Sequence, residues 1–600
     1  MFFSPASSAR AGVRQWTASR PAARSFRNFQ TGGSSSSTAS VIQCRPCAAH
    51  PARVDTATGD RRSVPCSVPH AKFFSSTSTT GPGEQNKGRG SLSLPEDFVR
   101  KDSKVRTRAH IDRKEFIRKH SSQLDSEYSF SSELGAGGFA NVFLVTHKLT
   151  GQLRAAKRIH KSKLKGNWEM LENEVKAMQD LDHPHICKLY EHFEEEEYVY
   201  LILEYLQGVD LFEHMLNVFS DETHEPQGRF NEYEAAVLMR HMLKAVFCCH
   251  SSNIVHRDIK PENFMFANKV DATPDLRMID LGLSKRDQQA GDGNITGVEG
   301  TLAYMAPEML RGEPYNRKCD VWPLGAICYI MLCGEPLFTL TDDNAAVQEI
   351  QNGNFVKRKL QEKRRILSPD AMSFLKATLA FDPSRRLSAK HALCHPFVMK
   401  TYMEDGLVSE RDPEKLKKIL SMGEVLERMR RFSELSTLKR SSLIVLAHMI
   451  GTSADEMEAY RLTFRQLDTD GSGSLSLEEF KEGIQRESLR LDQKPIEFPA
   501  NFNDEIWPAV DLNESDDINF TEFLAACLSS DQYNESHWRA VFQVLDVNKN
   551  GHLSAEDFRE LFHDNEEKEV LDIWHEICDK DDGTLSAEQY IHFMQNEVPA

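Results

Sequence analysis

The chain has 600 residues, a formal net charge of −17, 40% apolar and 27% charged residues, and twelve cysteines. This length allows three or four domains of about 150 residues, with the composition of ordinary folded protein. No run approaches the roughly 18 apolar residues of a membrane helix, the scattered cysteines fit reduced thiols, and the acidic balance argues against a nucleic-acid partner.

Residues 1–125 are rich in Ser, Ala, Arg, Gly and Thr, as in GGSSSSTAS, and lack hydrophobic periodicity, which predicts a disordered extension. No acidic residue precedes Asp55, while Arg recurs at 10, 14, 20, 24 and 27. That is also the composition of an organelle transit peptide. The cytoplasm is the expected compartment, with organelle targeting as the alternative. From Tyr128, alternating segments such as ANVFLVTH and YVYLILEYL predict strands, and EAAVLMRHMLKAVFCCH predicts a helix. This strand-rich start and helix-rich continuation runs to Phe397. A junction over 398–452 carries a basic, helical stretch from about 413 to 450. The segment from Glu456 to Ala600 holds 34 acidic against 11 basic residues, with aromatic and aliphatic residues at helical spacing, so it is expected to fold.

LGAGGFANV is a glycine-rich turn between two strand-like segments, comprising Leu134, Gly135, Ala136, Gly137, Gly138, Phe139, Ala140, Asn141 and Val142. Its glycines would let backbone amides close over phosphates where a side chain would block the approach. RAAKRI puts Lys157 on the next strand, to hold the α- and β-phosphates, and Glu174 follows on a helix, placed to pair with it. HRDIKPEN supplies Asp258 to orient a substrate hydroxyl and accept its proton, Lys260 to stabilise transferring charge, and Asn263 for a second magnesium. DLG supplies Asp280 for the bridging magnesium. Phosphoryl transfer needs little beyond such positioning and charge neutralisation.

In this order the motifs resemble the protein kinase family over Tyr128 to Phe397, with GTLAYMAPE, DVWPLG and DPSRR completing the likeness. DIKPEN with Thr301 looks like the serine/threonine branch. The resemblance implies a bilobal α+β fold, with ATP and magnesium as cofactors. It also implies a Glu308–Arg386 pair, Leu203 as gatekeeper and Glu204 to Leu206 as adenine hinge, with Ala155, Asp210 and Met265 added to the nucleotide site. Leu281 and Pro323 replace the usual Phe and Ser without touching a catalytic role. Asp210 and Glu262 lie where similar kinases read basic residues before the target; ribose contacts or surface charge are the other readings.

DTDGSGSLSLEE (468–479) matches an EF-hand loop at every position: Asp468, Asp470, Ser472, Ser474 and Glu479 as calcium ligands, with Ser476 acting through water. DLNESDDINFTE (511–522) keeps Asp511, Asn513, Ser515, Asp517, Asn519 and Glu522, with Asp516 where glycine is usual. DVNKNGHLSAED (546–557) offers Asp546, Asn548, Asn550, His552 and Asp557, the last one methylene short of Glu. A fourth loop, 578–589, has shortened ligand spacing and Gln589 in place of a closing carboxylate; it reads as a structural partner for loop three rather than a calcium site.

A kinase, then a basic amphipathic helix in EVLERMRRFSELSTLKRSSLIVLAHMI, then four EF-hands closely resembles the calcium-dependent protein kinase family over Tyr128 to Ala600. The resemblance implies a multidomain chain in which the junction blocks the kinase until calcium reorganises an all-α calmodulin-like domain at 456–600. Protein substrates with basic residues near the target Ser/Thr, an intramolecular calmodulin-like partner and a monomeric state are the expected associations. The alternative is a calcium-binding scaffold whose kinase fold is catalytically weak. Intact Lys157, Asp258, Asn263 and Asp280 argue against it.

Overall fold

The computed structural model describes residues 110–595 apart from 137–139, 165–167, 222, 269–274, 288–294, 298, 340–341, 401–419, 451–454, 491–494, 529–532, 563–569, 572–573, 576–577 and 579–582. Most of the expected N-terminal extension, residues 1–109, therefore lies outside the described residues.

Six strands, Lys119–His120 (β1), Tyr128–Ala136 (β2), Ala140–His147 (β3), Leu153–His160 (β4), Leu189–Glu194 (β5) and Tyr198–Glu204 (β6), form one sheet in the order β1-β5-β6-β4-β3-β2. All neighbours run antiparallel except β1 and β5. The sequence of β6 is apolar at consecutive positions because both its faces are covered. Val199, Leu201 and Leu203 join the main kinase core with Leu171, Val175 and Met178, while Tyr200 and Ile202 join a smaller core with Leu124, Tyr128, Val145 and Phe193. The residues of that first set that precede the sheet's last strands lie on helix α1, Trp168–Asp180.

Below the sheet the chain is helical. Helix α2 (Leu211–Ser220) starts where the Asp210 carboxylate accepts from the Glu213 N–H, and α3 (Glu232–Ser251) starts at a capping box of Asn231 and Glu234. Helix α4 (Val321–Cys333) is apolar all round and buried almost throughout, as its sequence VWPLGAICYIMLC requires. Pro323 lies in its first turn.

The basic stretch expected as one helix over 424–450 is two helices, α5 (Met422–Ser433) and α6 (Thr437–Met449). Ser436 breaks them: its backbone is extended and its hydroxyl accepts from the Lys439 N–H, starting a new helix. Val425, Met429 and Phe432 are buried in a second core, together with Leu438, Ile444 and the EF-hand residues Phe464, Phe480, Phe523 and Trp538. An amphipathic helix buries its apolar stripe wherever the larger apolar surface is, and here that is the EF-hand domain.

The EF-hand helices include α7 (Asp455–Leu467), α8 (Leu477–Arg490), α9 (Phe520–Cys527), α10 (Glu535–Leu545), α11 (Ala555–Leu561) and α12 (Ala587–Gln595), with a further turn, Trp507–Val510, leading into loop two. The loops pair through short antiparallel strands: Ser474 and Leu475 opposite Asn519 and Ile518, and His552 and Leu553 opposite Ser586 and Leu585. Leu553 thus meets Leu585 from the shortened fourth loop, whose residues 579–582 lie outside the described residues.

The sequence extends the disordered segment to 125, yet residues 110–126 are folded. Asp112 caps a short 3₁₀ turn, Arg113–Phe116, and Ile111 and Phe116 are buried in the EF-hand core. Contacts with distant parts of the chain order this segment, and these leave no local periodicity to read.

Candidate active site and calcium loops

The hairpin β2–β3 carries the glycine-rich sequence, with Gly135 opposite Val142 and Ala136 opposite Asn141; Gly137, Gly138 and Phe139 lie outside the described residues. On β4, Lys157 Nζ lies 2.5 Å from Glu174 Oε1 on α1 and 3.4 Å from Asp280 Oδ1. Burial alone would lower the Lys157 pKa, but Glu174 and Asp280 more than reverse it and hold the ammonium charged above the usual lysine range. Burial pushes the Asp280 carboxyl up, and Lys157 with the Gly282 N–H brings it below its ordinary value. Three elements far apart in sequence therefore meet at one ammonium.

Asp258 is buried and accepts from Lys260 Nζ at 2.5 Å and from Thr301 Oγ1 at 2.8 Å, while Asn263 Nδ2 donates to the Asp258 carbonyl at 2.8 Å. Burial opposes the charge on Lys260, and Asp258 restores it, raising the pKa. Asp320 fixes this loop from behind. It accepts from the backbone N–H groups of His256 and Arg257 at 2.9 and 2.8 Å and sits 2.9 Å from His250 Nε2. Gly300, at φ +115°, passes so close to the same loop that a Cβ there would stand 2.6 Å from the Arg257 carbonyl oxygen. Glu308 and Arg386 form the expected bidentate pair, at 2.6 and 2.9 Å, fully buried. Breaking one side of such a pair costs about 3–5 kcal/mol.

Two roles were not read from sequence. Asp320 lies in DVWPLG, where nothing local marks its role, and Glu299 lies just before GTLAYMAPE, in no motif. Arg257 Nη2 lies 2.8 Å from Glu299 Oε2, tying the segment before Thr301 to the Asp258 loop through a carboxylate of the chain itself. Among the hinge residues, the Glu204 side chain turns backwards, 3.7 Å from Arg277 Nε, so only its backbone is available to a nucleotide. Ala155 lies opposite Leu203, and Leu206 is buried beside them. Asp210 caps α2 and bridges to Met265. Glu262 Oε2 is buried without a hydrogen-bond partner among the described residues, and burial raises its pKa.

In calcium loop one, carboxylate oxygens of Asp468, Asp470 and Glu479 lie within 4.8 Å of one another. Ser472 Oγ donates to the Ser474 carbonyl at 3.0 Å. Asp468 is 1% exposed, and its Oδ1 is an orphaned buried oxygen aimed into this cluster. An all-oxygen donor set with one unsatisfied carboxylate oxygen fits a hard dication. The other oxygen, Oδ2, faces the kinase: Lys244 Nζ on α3 is 3.2 Å from it and 3.1 Å from the Asp468 carbonyl. Burial raises the Asp468 pKa against the opposing pull of Lys244. Gly473, at φ +89°, has no room for a side chain either, since a Cβ would meet His183 at 2.2 Å.

Loop two is closed by its own backbone. Glu522 accepts from the N–H groups of Leu512 and Asn513 at 3.0 and 3.1 Å and of Asn519 at 2.9 Å, while Asp511 accepts from Ser515 and Asp516 at 3.0 Å each. Ser515 Oγ donates to the Asp517 carbonyl. Burial drives the Glu522 pKa well up. Asp516 takes the left-handed conformation a glycine usually supplies, φ +69°. In loop three the shorter Asp557 reaches the equivalent groups, accepting from Val547 at 3.1 Å, Asn548 at 3.3 Å and Ser554 at 2.9 Å. Asp546 accepts from Asn550 and Gly551, and Asn550 Oδ1 from the His552 N–H. In loop four the neutral Gln589 accepts from the Ser586 N–H at 3.0 Å, as Asp557 does from Ser554.

The first EF-hand pair sits on the kinase behind the hinge. Arg461 Nη1 lies 3.2 Å from Asp275 Oδ2, Arg465 also pairs with Asp275, and Asp275 is bidentate to Arg277 at 2.5 and 2.9 Å. Lys188 Nζ reaches the Ala447 carbonyl at 3.3 Å, and His448 Nε2 lies 3.1 Å from the Tyr190 carbonyl. No helix among the described residues is long and apolar enough to cross a membrane.

This geometry agrees with what the chain is similar to. The protein kinase domain model matches residues 128–398, and the EF-hand model matches 461–484 and 539–563, which hold loops one and three. The chain is 31% identical over 481 residues to calcium-dependent protein kinase 3 of Oryza sativa subsp. japonica, covering 79% of this chain and 81% of that protein. It is 28% identical over 520 residues to calcium-dependent protein kinase 5 of Plasmodium falciparum, covering 85% of each. To calcium-dependent protein kinase 3 of Plasmodium berghei it is 30% identical over 496 residues, covering 81% and 83%. The chain belongs to the calcium-dependent protein kinase family, a serine/threonine protein kinase, using ATP and magnesium, joined to calcium-binding EF-hands.

Proposed function

We propose that this chain transfers the γ-phosphoryl group of ATP to serine and threonine hydroxyls of proteins, with calcium in its own EF-hands as the control. The observation that carries this reading is the meeting of Lys157, Glu174 and Asp280 beside Asp258 held by Lys260 and Thr301. In this reading Asp258 orients the acceptor hydroxyl and accepts its proton, and Lys260 steadies the charge that passes between them. Lys157 holds the α- and β-phosphates, and Glu174 keeps Lys157 in place. Leu134 to Val142, Ala155, Glu204, Leu206, Asp210 and Met265 form the nucleotide site. Asn263 and Asp280 would hold magnesium, which when bound neutralises the phosphate oxygens.

The calcium ligands in this reading are the oxygens of Asp468, Asp470, Ser472, Ser474 and Glu479; of Asp511, Asn513, Ser515, Asp517 and Glu522; and of Asp546, Asn548, Asn550, His552 and Asp557. Closing Glu479, Glu522 and Asp557 onto the loop re-aims the helices that follow them. The kinase domain spans 128–397, the junction 398–452 and the calmodulin-like domain 456–600. The junction alternates between the EF-hand core and the cleft, which it blocks when calcium is low. The partnerless Glu262 Oε2 supports a preference for basic residues near the target. A monomer acting in the cytoplasm completes the reading.

The test is a calcium titration of phosphate transfer onto a basic peptide, run also with chelator. Turnover is expected to rise steeply with calcium. Turnover indifferent to chelator would remove the calcium control, and no turnover at any calcium would leave the scaffold reading. Truncation after Phe397 is expected to give turnover independent of calcium; a folded but silent fragment would make the junction a support instead of a block.

A further inference from the structure

The helix that carries Glu174 ends without a basic residue of its own. A helix leaves its last carbonyls unpaired and its C-terminus partly negative, which favours a cation there. Helix α1 has no basic residue in its last turn and ends at Asp180, the wrong sign for that position. Asp180 itself is paired with Arg286, a residue outside the helix.

Arg113 supplies the missing cation. It is 4% exposed, and its Nη2 donates to three carbonyls at this end: Met178 at 3.2 Å, Gln179 at 2.9 Å and Leu181 at 2.8 Å. Gln179 Nε2 donates back to the Ile117 carbonyl at 3.2 Å, so segment and helix are tied in both directions. On one side of this clamp the chain continues into β1, paired with β5 of the kinase sheet. On the other side it is anchored to calcium loop two. The Ile111 N–H donates to the carbonyl of Leu512, the loop's second residue, at 2.7 Å, and Ile111 and Phe116 are buried in the EF-hand core. The next turn of the kinase meets the same loop: the N–H of Thr521, beside Glu522, donates to Asp182 at 2.8 Å.

We propose that Arg113 is a positioning residue for phosphoryl transfer: it pins the C-terminal end of α1 to the segment anchored on calcium loop two, and so holds Glu174 against Lys157. The inference rests on the reading of Lys157 as the phosphate-holding residue. Losing the clamp loosens α1, and Lys157 then meets ATP without its fixed partner. The affinity for ATP falls, while the peptide-binding half of the cleft, built on α3, α4 and the Asp258 loop, is untouched.

The experiment is steady-state kinetics of the full chain at saturating calcium, with hydrogen exchange of the backbone amides. Arg113→Ala is expected to raise the KM for ATP about tenfold, leave the KM for peptide within about twofold, and lower protection over Met178–Leu181. Arg113→Lys, which keeps a cation with three donors at the helix end, is expected to recover at least half of the lost affinity. An ATP KM within twofold of wild type in Arg113→Ala would overturn the proposal, as would a loss that Arg113→Lys does not recover. If Arg113→Ala does not fold, Ile111→Ser keeps the guanidinium and weakens only its anchor on loop two. It is expected to raise the ATP KM at half-saturating calcium, and no change there would likewise overturn the proposal. Wild-type turnover is the control that separates the two readings. If wild type transfers no phosphate, the functional reading fails; if it does and the variants match it, only the role of Arg113 fails.

Discussion

The catalytic cleft and the calcium loops both gather carboxylates, but the chain neutralises them differently. In the cleft it provides the cations itself: Lys157 for Glu174 and Asp280, Lys260 for Asp258. In loops two and three, Glu522, Asp511 and Asp546 accept from backbone N–H groups, and Asp557 from backbone N–H groups and the Ser554 hydroxyl, so their charge is left for an ion to balance. A site with its own counter-charges can keep its geometry whatever the calcium level. A site held by amide dipoles changes shape when a dication arrives. The cleft therefore sets what the protein does and the loops set when, and variants in each should fail differently.

The largest effect belongs to the cleft. Asp258→Asn is expected to lower turnover about 10³-fold at every calcium concentration while ATP binding persists. Retention of more than about a tenth of wild-type turnover would show that Asp258 does not take the proton. Next come the loops. Glu522→Gln or Glu479→Gln should leave the saturating rate near wild type and shift the half-activating calcium concentration upwards about tenfold. This follows because a 1:99 to 99:1 switch spread over three loops asks roughly twentyfold of each. A fall in the saturating rate without that shift would blur the division between cleft and loops. Glu299→Ala tests whether the cleft relies on a cation–carboxylate tie beyond its centre. Arg257 loses its partner, so turnover should drop a few-fold, with half-activating calcium unchanged; because the pair is half-exposed, the effect is modest. The smallest effect is expected in loop four. Asp581→Ala should move half-activating calcium by less than about twofold, since the loop lacks a closing carboxylate. A large shift with unchanged melting temperature would make loop four a metal site.

The cleft was legible in sequence because phosphoryl transfer demands a fixed set of charges in a fixed order, and each sits in a short motif. Lys157, Glu174, Asp258, Lys260 and Asp280 do converge, and Arg386 is the partner of Glu308 that the motifs imply. The left-handed Asp516 was legible too, because loop geometry demands that conformation at the sixth position. The docking of the EF-hand domain was not. Lys244, Asp275, Arg461 and Arg465 lie in no motif, and their partners are about 190 or more residues away. Several faces of the kinase could receive an acidic domain, and a few buried ion pairs decide among them without leaving a periodic trace. Arg113 was hidden in the same way, as one basic residue in a stretch read by composition alone. The break at Ser436 was readable in principle, as a serine three residues before the Lys439 N–H it caps, but the continuous amphipathic pattern masked it.

The ammonium of Lys244 on Asp468 bears on timing as well as affinity. Loops two and three can fill as fast as an ion diffuses to them. An ion in loop one would share Asp468 with Lys244, since Oδ1 is open while Oδ2 is held by an ammonium buried in the contact between the two domains. Freeing the whole carboxylate would need Lys244 to move across that contact, a motion of the microsecond-to-millisecond scale or slower. A brief calcium pulse would then end with Lys244 still on Asp468, whereas a sustained rise would draw it off. Built this way, one chain would weigh how long calcium stays high as well as how high it goes.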